Sequence, residues 1–180
     1  MDTYRREKIK NNFLYFMMYS IIGWIYEVFL EVAIYRWGFS NRGILFGPYC
    51  PIYGVGALVL IATVYKLIEN KDRNTRLKMI IPVFLCSALI ATAIELAATY
   101  LLEYTIGSWP WQTYADYKIN FQARIALSPS IRFGLGGIVF LYILQPLFEA
   151  AVVKLNSARK NILFAVLLTA ILIDTVFYII

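Results

Sequence analysis

Residues 13–35 read FLYFMMYSIIGWIYEVFLEVAIY, an apolar run that nonetheless carries two carboxylates, Glu27 and Glu31. A helix needs roughly 20 largely apolar residues to cross a bilayer. Four further stretches come near that length: Pro51 to Leu67, Met79 to Leu102, Phe133 to Val153 and Asn161 to Ile180. The chain therefore reads as all-α, an integral membrane helical bundle with five transmembrane helices. The longest polar-leaning segment, Glu103 to Arg132, is shorter than the roughly 40 residues at which a domain folds without staples. It is expected to cap the helices, which leaves 1–180 as a single transmembrane domain.

Composition agrees with a membrane protein. Hydrophobic residues make up 61%, charged residues only 16%, and the mean hydropathy is +0.65, whereas soluble domains carry about 25% charge. The net charge of +6 does not point to nucleic acid, because the basic residues cluster beside the apolar spans, where they ordinarily meet anionic lipid. An N-terminus in the cytoplasm puts Arg5 to Lys10, Lys66 to Lys78 and Lys154 to Lys160 inside. Arg36, Arg42, Lys118, Arg124 and Arg132 are left outside, a split of 12 against 5 among the 17 basic residues. The positive-inside rule favours that orientation and sets Ile180 at the outer surface. Residues 13–35 exceed the roughly 7 to 15 residue core of a secretory signal and lack a small-residue cleavage site, so they are expected to stay attached.

Helix breakers mark the next feature. Gly47-Pro48 and Cys50-Pro51 fall in an apolar stretch, where each proline removes an amide donor and biases its predecessor away from helical angles. Segment 41–51 is either broken or re-entrant backbone lining a site, tolerated at membrane depth only under protein or a wet cavity, or an extended outer loop that ends with Pro51 opening helix two. Gly54 and Gly56 would let a neighbouring helix approach closely, and Gly134, Gly136 and Gly137 give helix four a small-residue face. Lys66 to Lys78 reads as a solvated turn. Cys50 and Cys86 fall at depths too different for a disulfide.

Intramembrane acids supply the candidate site. At 1.5 Å per residue, Glu27 lies roughly 21 Å and Glu95 roughly 24 Å from the inner side of a core about 30 Å thick, with Asp174 at about 20 Å. Glu31 is nearer the outer interface. Isolated charges there cost about 2.5–3.5 kcal/mol each on insertion scales, so these four acids are expected to face one another or water, with Arg42 and Arg124 as partners. The functional reading is an outward-opening polar pocket in which an arginine clamps an anionic group and unpaired carboxylates take a cation or a proton. The alternative is a set of structural ion pairs that orient helices. Trp109, Trp111, Tyr114 and Tyr117 suit an interfacial belt better than a ligand cage.

At Gly23-Trp24-x-x-Glu27, Asn41-Arg42-Gly43 and Gly47-Pro48-Tyr49-Cys50-Pro51-Ile52-Tyr53-Gly54, the sequence resembles the bacterial family called putative ABC-transporter type IV, or putative ABC transporter permease. Trp111, Tyr114, Asp116, Asn120, Arg124-Ile125, Ser130, Phe133-Gly134 and Gln145-Pro146 extend the likeness over roughly residues 15 to 150. Ala123, Lys118 and Phe133 depart from it where glycine, proline and tryptophan are expected, and Asp174 lies outside these motifs. The resemblance implies a small multi-pass protein of the bacterial inner membrane.

The leading expectation is a transport component, permease-like or substrate-capturing, with a binding site drawn from Glu27, Glu31, Asn41, Arg42, Glu95, Asp116, Arg124 and Asp174. Its expected partners are the lipid bilayer, a separate ATPase subunit and further copies of itself. The chain has no histidine, no paired cysteine motif and no phosphate-binding loop, so neither a metal nor a cofactor is expected. The rival readings are a membrane enzyme acting on a lipid or lipid-linked substrate through a carboxylate base, and a non-catalytic assembly or sensory subunit. No hydrolase motif is present. Enzymatic chemistry would rest on carboxylates, arginine, tyrosine or Cys50.

Overall fold

Among the described residues, four helices have the length and apolarity to cross a membrane: Thr3–Tyr35, Ile80–Ile106, Leu127–Val153 and Ser157–Tyr178. The computed structural model describes residues 2–179, so the expected outer placement of Ile180 lies outside the described residues. In chain order the elements are α1 (Asp2–Phe29), α2 (Pro51–Ala62), α3 (Arg73–Lys78), α4 (Ile80–Ile106), β1 (Asn120–Phe121), β2 (Ile125–Ala126), α5 (Leu127–Val139), α6 (Gln145–Val153) and α7 (Ser157–Ile179). The bundle is helical as the hydropathy implies.

The fifth apolar stretch, Pro51–Leu67, is a shorter apolar helix than these four, so the count of five spans holds only approximately. Other limits move as well. α4 runs on past Leu102 to Ile106, because Gly107 at φ 77° supplies the left-handed turn that stops a helix. α5 starts at Leu127, ahead of the expected Phe133. A π-type turn, Phe140–Leu144, joins α5 to α6. It sits just before Pro146, whose missing amide and bulky ring would break an ordinary helical ladder.

The chain divides into two compact units, Met1–Leu58 with Leu147–Ile180, and Val59–Pro146. In the first, α1 and α7 are tied at one end by Glu7, which accepts from Lys10 at 3.0 Å and pairs with Lys160 at 3.2 Å. Phe13 meets Phe164 edge-to-face at 5.0 Å. Met17, Leu45 and Tyr49 form the buried cluster, with Phe16, Leu167 and Ile171 against it. The start of α2 lies close on α1: a Cβ at Gly54 would stand 2.6 Å from the Phe16 carbonyl oxygen.

In the second unit Leu60, Val64, Ile68, Val83 and Leu141 form the core. Asp72 opens α3 by accepting from the Thr75 hydroxyl at 2.6 Å and the Thr75 amide at 3.1 Å. Those bonds hold its carboxylate below the usual range. α4 and α5 approach through small residues, as a Cβ at Gly134 would meet the Phe84 ring at 2.6 Å and one at Gly137 would collide with Ser87. Gly136 meets nothing. The segment between these helices folds as a 3-10 turn, Gln112–Asp116, and a short antiparallel pair, Asn120↔Ala126 and Phe121↔Ile125.

Candidate functional site

Residues 36–50 form no helix, and their contacts show where the chain goes. α1 ends in a π-type turn, Leu30–Tyr35, followed by Arg36 at φ 57°, which reverses the chain direction. The segment then returns along α1. Ser40 and Arg42 bond Glu31, Asn41 bonds Trp24, and the Cys50 amide donates to the Ser20 carbonyl at 2.9 Å. From Glu31 to Ser20 the return covers roughly 16 Å of helix axis. Pro51 thus opens α2 partway along α1, and a helix starting there has less of a bilayer left to cross.

Irregular backbone in an apolar setting is stable only if its polar groups are paired, and here side chains do that work. The Asn41 amide donates to the carbonyls of Leu45 and Phe46 at 3.1 and 2.9 Å. Asp174, on α7, accepts from the amides of Phe46 at 3.0 Å and Gly47 at 2.8 Å, and from the Tyr49 hydroxyl. Gly43 carries φ 99°, a conformation glycine adopts without strain. Tyr49 and Cys50 are buried.

The polar face of the segment gathers around the C-terminal half of α1. Glu31 is buried and accepts from the Ser40 hydroxyl at 2.8 Å and from Arg42 Nε at 2.9 Å. The two Nη groups of Arg42 make no hydrogen bond among the described residues. Trp24 Nε1 donates to Asn41 Oδ1 at 2.7 Å. One turn along, Glu27 accepts from the Tyr53 hydroxyl, and Cys50 lies within electrostatic reach of both Glu27 and Arg42. The arrangement offers, around Cys50, the Nη groups of Arg42 and the Glu27 carboxylate, which among the described residues accepts only from a phenol. That set can bind an anionic group and take up a cation or a proton.

Glu95, Asp116 and Arg124 belong to the other unit. Glu95 is buried and accepts from the Tyr114 hydroxyl at 2.8 Å. Arg124 pairs with Glu103 at 2.8 Å, and its guanidinium lies 4.4 and 4.5 Å from the ring centres of Tyr100 and Trp109. Trp111 Nε1 donates to Thr99 Oγ1 at 3.1 Å and to the Arg124 carbonyl at 3.0 Å. These cap aromatics therefore build a cradle for Arg124. Asp116 is exposed at the end of the 3-10 turn.

Sequence reasoning missed Ser40, Trp24, Tyr49, Tyr53 and Glu103 as partners. Tyr49 and Tyr53 gave one usable signal: a tyrosine in an apolar run needs an acceptor for its hydroxyl.

The Glu31–Arg42 pair yields a test. Arg42→Met leaves a buried carboxylate without its counterion and is expected to cost about 3 kcal/mol. Combined with Glu31→Gln, it should show a coupling of about 1–3 kcal/mol in thermal unfolding of the detergent-solubilised protein. Strict additivity would mean that the pair is not formed.

The chain matches the family described as putative ABC-transporter type IV over residues 14–179, a range that takes in α7 and Asp174. No curated protein and no solved structure matches it.

Proposed function

Because the chain belongs to the putative ABC-transporter type IV family, a multi-pass membrane family related to transport, we propose that it is a permease-like or substrate-capturing subunit whose polar site opens to the outside. The site is built on the broken segment 36–50 and the outer half of α1. Arg42 contacts an anionic group of the substrate, Glu31 orients Arg42, and Glu27 with Tyr53 carries a cation or a proton. Asn41 and Asp174 shape the segment. Glu95 and Arg124 hold the cap of the other unit, beside the exposed Asp116. A separate ATPase subunit supplies the energy, and the protein resides in a bacterial inner membrane with its N-terminus in the cytoplasm.

One observation carries the reading: fifteen residues of irregular backbone lie along a membrane helix, with backbone groups of Ser40, Leu45, Phe46 and Gly47 paired by side chains. Interrupted helices of this kind line substrate sites in transporters.

The test uses a Cys50→Ser, Cys86→Ser background. Asn41→Cys is expected to react with a membrane-impermeant maleimide applied to intact cells, and Lys71→Cys only after permeabilisation. Affinity-tagged protein from native membranes is expected to recover a nucleotide-binding subunit. Labelling of Asn41→Cys only in permeabilised cells would sink the outward-facing site. Purification with no ATPase chain would remove the energised-subunit role.

A further inference from the structure

The turn between α2 and α4, which the sequence presents as a solvated basic turn beside the membrane, holds a shallow basic cleft. Lys71, Arg73, Arg76, Leu77 and Tyr142 line a shallow cavity of about 360 Å³. Three cations face it, and among the described residues none of them makes an ion pair. Asp72, the acid between them in sequence, is committed to Thr75. The Tyr142 hydroxyl donates to the Arg76 carbonyl at 2.6 Å, and the Arg76 guanidinium stands 5.2 Å from the Tyr142 ring centre.

What lies next to the cleft identifies its occupant. Leu77 at its edge is followed at intervals of four by Ile81, Leu85 and Leu89, which are 55%, 70%, 52% and 72% exposed. Residues four apart share one helix face, so past Leu77, near the end of α3, an uncovered apolar stripe of Ile81, Leu85 and Leu89 runs along α4. A positive cleft with an apolar track leading from it matches a molecule with a phosphate at one end and hydrocarbon at the other. A free anion would have no use for the track.

We infer that this cleft binds the phosphate-bearing headgroup of an anionic phospholipid, whose acyl chains lie along Leu77, Ile81, Leu85 and Leu89. Lys71 and Arg73 approach the phosphate from the exposed side, and Arg76, positioned by Tyr142, from the helix side. The inference is independent of the transport reading, because it uses none of the residues around α1.

Native mass spectrometry of the purified full chain tests it, with phosphatidylglycerol and phosphatidylcholine of identical chains as competing probes. Wild type is expected to retain phosphatidylglycerol selectively. A basic residue near a membrane surface contributes about fivefold to anionic lipid binding, so Lys71→Gln with Arg73→Gln should lower that retention about 25-fold. Arg159→Gln, which removes an exposed charge elsewhere, should change it less than twofold. Ile81→Gln should weaken it with the cations intact, and millimolar inorganic phosphate or glycerol phosphate should not displace the lipid. Since Lys71 and Arg73 are exposed, melting temperatures of the variants should stay at the wild-type value, which separates lost binding from lost folding. Equal retention of both lipids, an equal loss in Arg159→Gln, or displacement by free phosphate would overturn the assignment. The last result would make the cleft a soluble-anion site.

Discussion

Asp174→Ala is expected to destabilise the protein by about 3–5 kcal/mol. The Asp174 carboxylate accepts two backbone amides and a tyrosine hydroxyl from the broken segment. A hydrogen bond to a charged group contributes about 1.5–3 kcal/mol, and a buried donor left unpaired costs about 1–3 kcal/mol. At about 2–4 °C per kcal/mol for a chain of this size, the melting temperature should fall by about 10 °C. Asp174→Asn should recover roughly half, since one oxygen still accepts while the new amide group faces donors. Cys50, only 4% exposed, gives a local readout: with the segment released it should react with maleimide far faster than in the wild type. A variant within 1 kcal/mol of wild type, by about the same rule, would show the segment held by other contacts.

Gly54→Ala should be as damaging, and Gly56→Ala should be tolerated. The added methyl at position 54 would stand 2.6 Å from the Phe16 carbonyl oxygen. That oxygen belongs to a helix backbone and cannot turn aside. Overpacking costs about 1–3 kcal/mol when side chains can adjust, and more when they cannot, so a loss of about 3 kcal/mol or more is expected. At Gly56 a Cβ meets nothing within 4 Å, and alanine is the better helix former by about 1 kcal/mol. Thermal unfolding of the two variants side by side checks the contrast, and equal behaviour would mean that α2 does not pack on α1 through this face.

These cases show what the sequence could and could not tell. Hydropathy located the spans, because the length needed to cross hydrocarbon is a property of each segment alone. It could not separate Gly54 from Gly56, since which glycine faces a neighbour depends on helix rotation. The apolar stretch closes at Leu102, but α4 continues to the backbone turn at Gly107, a stop that hydropathy does not register. Glu31 and Arg42 were legible as oppositely charged neighbours on adjoining segments. Asp174 was legible only as a costly acid in need of a partner. Its partners are mostly main-chain amides 127 and 128 positions away, and amides carry no signature in a sequence. Arg124 went to Glu103 and two aromatic rings because the cap folds back on its own helix.

The long separation between Asp174 and the amides it satisfies has a consequence for biogenesis. Phe46 and Gly47 leave the ribosome more than a hundred residues before the carboxylate that will hold them. Until α7 inserts, the stretch from Leu45 to Tyr49 has exposed donors and nowhere to place them. Before α7 is made, the segment is expected to stay in water or among headgroups, where those donors can be solvated. α7 is therefore expected to act as a latch on the segment, and nascent chains stalled before α7 should remain open to protease there.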